Sequence, residues 1–260
     1  MSKDAVSEDV VRETAAPVAG TRPEGTATQA EASRKVREMF TQIAPRYDLL
    51  NHVLSLQLDR VWRARVARIL RPTLQRRDAV VLDLCCGTGD LALALSHAGS
   101  ARVMGADFAH PMLVQANAKG ASAQIPFLEA DALQLPFADA AFDVLTAAFG
   151  FRNLANYEDG LREMLRVLKP GGTLAILEFT EPPDGLVGNL YRWYFRRVLP
   201  WIGGVLSGDR EAYTYLPRSV AKFFRPPQLG DLMRSVGFVA VEFRVWTLGT
   251  VALHLGKRQE

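Results

Sequence analysis

Apolar positions along this chain alternate between two periods, and the changes of period outline its elements. Ala79 to Leu84 is an aliphatic run interrupted only by Asp83, the pattern of a strand buried on both faces. A turn of small residues follows, Cys85-Cys86-Gly87-Thr88-Gly89, and then an amphipathic stretch, Asp90 to Ser96, suited to a helix. The alternation continues with strands over 102–106, 125–128, 142–149 and 173–179 and helices through 112–118 and 157–168, with a tight turn at Lys169-Pro170-Gly171-Gly172. A helix over 228–236 leads into a hairpin, 239–246 and 250–255, around Thr247-Leu248-Gly249. Strands and helices in this order predict an α/β fold, a doubly wound and mostly parallel seven-stranded sheet with an antiparallel strand at the C-terminus.

Two amphipathic helices precede the first strand. One uses Val36, Met39, Phe40 and Ile43 with Ser33 as its N-cap, and the other runs over 59–70 on Val61, Trp62, Val66, Ile69 and Leu70. They must pack outside the βα core, so 31–70 reads as a helical cap and 31–260 as one domain. Residues 1–30 carry almost no large apolar side chains and read as a disordered tail. The segment 184–225 breaks the alternation. Leu190, Trp193, Phe195 and Trp201 are interleaved there with arginines, a composition that suits a lid, a homodimer contact or a membrane surface.

Charge sharpens this picture. The chain carries +3 overall, with −2 in residues 1–30 and +4 in 184–225, so the positive excess sits mainly in the inserted segment. A net +3 is weak for a polyanionic partner, which disfavours nucleic acid. No apolar run approaches the ~20 residues of a membrane span. Two adjacent cysteines cannot staple a fold, and a reducing, cytoplasmic setting fits them. No cluster has metal-ligand spacing.

The turn after the first strand holds the candidate chemistry. Strand, glycine turn and helix N-terminus let a ligand approach bare backbone. Gly87-Thr88-Gly89 lacks the third glycine of the dinucleotide fingerprint, and Asp83 stands inside the strand. This pattern resembles the first motif of class I S-adenosylmethionine (SAM) methyltransferases, which implies a Rossmann-like fold and SAM as the cofactor. Asp83, Gly87, Thr88 and Gly89 are then cofactor-binding candidates. Asp107, at the tip of the second strand, can accept both ribose hydroxyls or cap the next helix. Asp131, with Ala132 beside it, follows the third strand, where this fold places an acid against the adenine amino group.

Longer stretches resemble one family. Arg166 to Thr180 is similar throughout to the second signature of the UbiE/MenG-type quinone C-methyltransferases, and Tyr47 to Ser55 to the first. Phe149-Gly150-Phe151-Arg152-Asn153, Ser207 to Tyr213 with Tyr215-Leu216-Pro217, and Gly249 to His254 also match. Gln57 and Asp59 depart, standing where the family pattern has a glycine and a histidine. The resemblance implies SAM-dependent methylation of a ring carbon on a polyprenyl quinol, 2-demethylmenaquinol or a ubiquinone-pathway relative. A phenolate would push electron density onto that carbon. Arg152 would stabilise the phenolate with Asn153 orienting it, while Asp48, His52 and Tyr213 are candidates to take the phenol proton, as is Arg152 through a held water. A substrate with a prenyl tail implies peripheral contact with the inner face of the membrane. Other small aromatic acceptors, or a non-catalytic SAM-binding scaffold, are the alternative readings.

Overall fold

The computed structural model describes residues 20–48, 55, 57–182, 185, 188, 193 and 210–260. Its centre is a seven-stranded sheet in the order β3-β2-β1-β4-β5-β7-β6. The strands are β1 (Val80–Leu84), β2 (Arg102–Asp107), β3 (Phe127–Glu129), β4 (Phe142–Ala148), β5 (Leu168–Phe179), β6 (Phe238–Trp246) and β7 (Val251–Arg258). β7 runs antiparallel to both β5 and β6, and every other pairing is parallel. The closing hairpin therefore sits where the strand pattern predicts it.

Period-two alternation splits the core across the two faces of the sheet. Leu82, Leu145, Leu174 and Ile176 pack on one side with Leu161 and Met164 of α5 (Tyr157–Val167) and Leu229 and Met233 of α7 (Pro226–Val236). Val81, Val144, Ala175 and Leu177 pack on the other with Trp62, Val66 and Leu70 of α2 (Leu58–Leu74) and Leu91 and Leu95 of α3 (Asp90–Ser96). α2 is therefore a layer of the core and does not pack outside it as expected, because each four-residue step along it brings the next apolar side chain to the sheet. Burying both faces explains why the central strands read as continuous aliphatic runs.

Several boundaries move. Helix α1 spans Gln29–Ile43, earlier than the Ser33 cap predicts. Thr28 is the N-cap because Glu31, three residues on, completes a capping box: the Glu31 N–H donates to the Thr28 hydroxyl and the Glu31 carboxylate accepts from the Thr28 N–H. β5 begins at Leu168, so the Lys169–Gly172 turn lies within the strand as an irregularity opposite Phe142 to Val144. Residues 20–22, which composition assigns to the tail, are hydrogen-bonded to the domain. The Thr21 N–H donates to the Leu154 carbonyl at 2.8 Å, and Arg22 donates to the Ala155 carbonyl at 2.6 Å. Backbone groups, absent from a composition argument, hold this segment.

β1 lies between β2 and β4, and Leu84 is level with Ala106 on one side and Ala147 on the other. The chain departs in opposite directions from these neighbours, so a crevice opens at the carboxyl ends of the strands.

Candidate active site

A cavity of about 640 Å³, open in part to solvent, fills that crevice. The turn after β1 makes its floor. Gly87 has φ +55° and Gly89 φ +84°, left-handed angles that glycine adopts without strain. The Gly87 N–H donates to Asp107 Oδ2 at 2.9 Å, and the Ala109 N–H donates to Asp107 Oδ1 at 2.9 Å. Asp107 thus binds the glycine turn to the start of α4 (His110–Gly120), although Ala109 and not Asp107 is the helix N-cap. Burial pushes the Asp107 carboxyl above its ordinary range, against the pull of those backbone donors.

Of the cofactor candidates, Gly87, Asp107, Asp131 and Ala132 line the cavity. The Leu133 N–H donates to Asp131 Oδ1 at 2.9 Å, which fixes the carboxylate beside its own turn. Asp83, Thr88 and Gly89 do not line it. Asp83 lies within the sheet, where its Oδ1 accepts from the Thr146 hydroxyl at 2.7 Å and its Oδ2 makes no hydrogen bond of good geometry. Desolvation pushes this carboxyl up to about 7. A Cβ on Gly89 would meet the Phe127 ring at 2.9 Å, so that glycine permits close packing of α3 on the sheet.

Thr88 belongs to a charged network behind the turn. Lys119 donates to Thr88 Oγ1 (2.9 Å), Asp90 (2.7 Å) and Asp48 (2.5 Å), which employs all three of its N–H groups. Arg63 joins Asp90 to the buried Asp59, which accepts from Ser55. Asp48 is engaged by Lys119 and Thr88 and does not line the cavity. His52 lies outside the described residues. Tyr213 lies on α6 (Arg210–Lys222), with its side chain outside them too.

The far wall is the turn after β4, lined by Phe149, Gly150, Asn153, Leu154 and Ala155. Arg152 is buried behind it and does not line the cavity. Its Nη1 donates to Glu178 Oε1 at 2.7 Å and to the Phe149 carbonyl, while its N–H donates to Glu178 Oε2 at 3.1 Å. Glu178 of β5 holds Arg152 in place, because a buried guanidinium needs a countercharge. Asn153 accepts from the Tyr215 hydroxyl at 2.9 Å. Sequence reasoning missed Glu178. The only signal was an acid within an apolar strand, the same anomaly that drew notice to Asp83.

Among the described residues no cluster of His, Cys, Asp or Glu could hold a metal. Both cysteines are free, and burial raises both thiols.

A family model described as the ubiE/COQ5 methyltransferase family matches residues 28–258. A Thermus thermophilus protein named demethylmenaquinone methyltransferase is 51% identical over 223 residues, covering 85% of this chain and 100% of its own length. A Deinococcus radiodurans protein of the same name is 47% identical over 232 residues, 88% of this chain and 95% of its own. The fold is also similar to a SAM-dependent methyltransferase from Thermotoga maritima, with a TM-score of 0.62 at 18% identity, over 86% of this chain and 100% of that one. The chain belongs to the ubiE/COQ5 methyltransferase family.

Proposed function

We propose that the chain moves the methyl group of S-adenosyl-L-methionine to a ring carbon of a polyprenyl quinol, with 2-demethylmenaquinol as acceptor. The observation that carries the reading is the floor of the crevice: Asp107, locked to the Gly87 turn, faces one cavity that also exposes Asp131 and Asn153. The relatives' shared name supports the choice of acceptor.

The residues fit the cofactor. Asp107 accepts from the Gly87 and Ala109 N–H groups at different oxygens, and a carboxylate has about four acceptor sites, so it can still accept from a ribose hydroxyl. Asp131 and Ala132 supply a carboxylate and a small apolar wall for an adenine. Gly87 has no side chain to block approach to the cavity. Asp83, Thr88 and Gly89 act from behind the turn by fixing its shape. When bound, SAM supplies an electrophilic methyl group whose sulfonium charge disappears on transfer.

The chain's own part is alignment and exclusion of water. Phe40, Phe108, Met112 and Phe149 give the cavity apolar walls. Asn153 offers its amide to the acceptor's ring oxygen, and the Arg152–Glu178 pair holds the turn that carries it. Arg152 acts as a positioning residue in this arrangement. Among the described residues no helix is long and apolar enough to cross a membrane. The acceptor is reached at the bilayer surface, through the basic and aromatic segment 184–225, of which Trp193 is described and 56% exposed.

The test is to incubate the protein with SAM and a demethylated naphthoquinol and follow the quinone by mass spectrometry. A ring-methylated product is expected. Methylation of small phenols with none of the quinol would overturn the choice of acceptor.

A further inference from the structure

Asn153 is held by a chain of hydroxyls that begins in the N-terminal segment, ahead of the 28–258 stretch matched by the family model. The Tyr215 hydroxyl donates to Asn153 Oδ1 at 2.9 Å, which uses its only proton. The Thr21 hydroxyl lies 3.3 Å from the Tyr215 oxygen and must then be the donor in that contact. On its other side the Asn153 amide nitrogen reaches the Phe149 carbonyl at 3.5 Å, a weak bond. Tyr215 is therefore the stronger of the two contacts that decide which way the Asn153 amide faces.

Thr21 is itself pinned. Its N–H donates to the Leu154 carbonyl, Arg22 donates to the Ala155 carbonyl, and Leu154 and Ala155 both line the cavity. Gly20 approaches so closely that a Cβ there would lie 2.2 Å from the Ala155 carbonyl carbon and 2.3 Å from the Leu154 oxygen. Arg218 of α6 bonds Glu24 at 2.6 Å and extends the contact. Three successive residues thus grip the wall that carries Asn153, and the grip ends in a hydrogen bond to Asn153 itself.

We propose that Tyr215 and Thr21 are positioning residues for methyl transfer, and that residues 20–22 form a strap that sets the Asn153 amide toward the acceptor. The inference rests on the reading of Asn153 as an acceptor-facing group. It concerns rate, not cofactor binding, because neither Tyr215 nor Thr21 lines the cavity.

The experiment compares turnover at saturating quinol with SAM affinity by calorimetry, in the full chain, for Tyr215→Phe, Thr21→Val, their combination, Gly20→Ala and Asn153→Ala. Tyr215→Phe keeps the ring and loses only the hydroxyl. It should cut kcat about five- to tenfold, the worth of one hydrogen bond, with SAM affinity within about twofold. Thr21→Val should give a smaller loss, and the double variant should be no slower than Tyr215→Phe alone, since both act through one chain of contacts. Gly20→Ala, whose Cβ would push the strap away from the Leu154–Ala155 wall, should also lower kcat. Wild-type kcat in Tyr215→Phe together with a slow Asn153→Ala would overturn this inference and leave the reading of the site intact. Wild-type kcat in both would overturn the two together. Fully multiplicative losses, or a matching fall in SAM affinity, would make the strap a general packing element and overturn it as well.

Discussion

Gln57 adopts φ 64° and ψ 4° at the start of α2, a left-handed conformation that costs a residue with a side chain about 1 kcal/mol or more. Glycine would adopt this conformation without strain. Gln57→Gly should stabilise the fold by about 0.5–1 kcal/mol in urea titrations, the relief of that strain less the entropy of an added glycine. A lower midpoint would place the strain elsewhere. Asp83 allows a test by pH. Desolvation raises its folded pKa to about 7 from an ordinary 3.8, so between those values the folded state binds more protons than the unfolded chain. Stability contributed by this site therefore falls as pH rises from about 4 to about 7 and is level above that. Asp83→Asn, which can still accept from Thr146, lacks this loss, so its melting temperature should gain on that of the wild type between about pH 4.5 and 7.5. A constant difference would show that Asp83 ionises normally. For Asp107→Ala, SAM affinity should weaken by about 1.5–3 kcal/mol, the scale of hydrogen bonds to a charged group. Calorimetry giving unchanged affinity in the folded variant would remove Asp107 from the site.

Among the elements, the turn from β4 toward α5 carries a buried charge, Arg152. Arg152 and Glu178 are 6% and 1% exposed, and their pairing joins the turn to β5. Removing one member leaves the other charge buried alone, so Arg152→Met should cost about 3–5 kcal/mol of stability. Adding Glu178→Gln should recover part of it, and urea midpoints of the two variants would show this. A double variant less stable than the single would mean that Glu178 is held chiefly by its backbone donors. Turnover of Arg152 variants then has meaning only beside their stability. The same turn shows what sequence could reveal about the site. Phe149 to Asn153 was legible as polar groups at the end of a strand, but Glu178 was not tied to Arg152, because the pairing follows from β4 lying beside β5. Helix α1 shows a different kind of miss. Ser33 sits well for a cap by hydrophobic spacing, yet Thr28 and Glu31 satisfy two N–H groups at once and win locally.

At the scale of the whole molecule, the proposed prenylated acceptor makes contact with a bilayer a prediction. Residues 184–225 carry +4 with Leu190, Trp193, Phe195 and Trp201, and most of the segment lies outside the described residues. Each basic group near an anionic surface contributes about 1 kcal/mol, weakened by salt. Sedimentation with vesicles should show binding to anionic lipid that falls at high salt and weakens when Arg192, Arg196 and Arg197 are changed to Gln. Equal binding to neutral vesicles, or none to either, would leave the segment as a lid or a dimer contact.

The sequence by itself determined the order of strands and helices, the antiparallel closure and the glycine turn. These rest on local periods of two and 3.6 residues and on backbone angles that few residue types adopt. It also marked Asp107 and Asp131, since the ends of β2 and β3 can be read from where the apolar runs stop. Tertiary structure alone decided which polar groups face the cavity and which brace it. Asp48 and Lys119, Arg152 and Glu178, and Thr21 and Tyr215 lie 71, 26 and 194 positions apart. Such pairs form only when the sheet order brings distant segments together, and no local pattern encodes that distance.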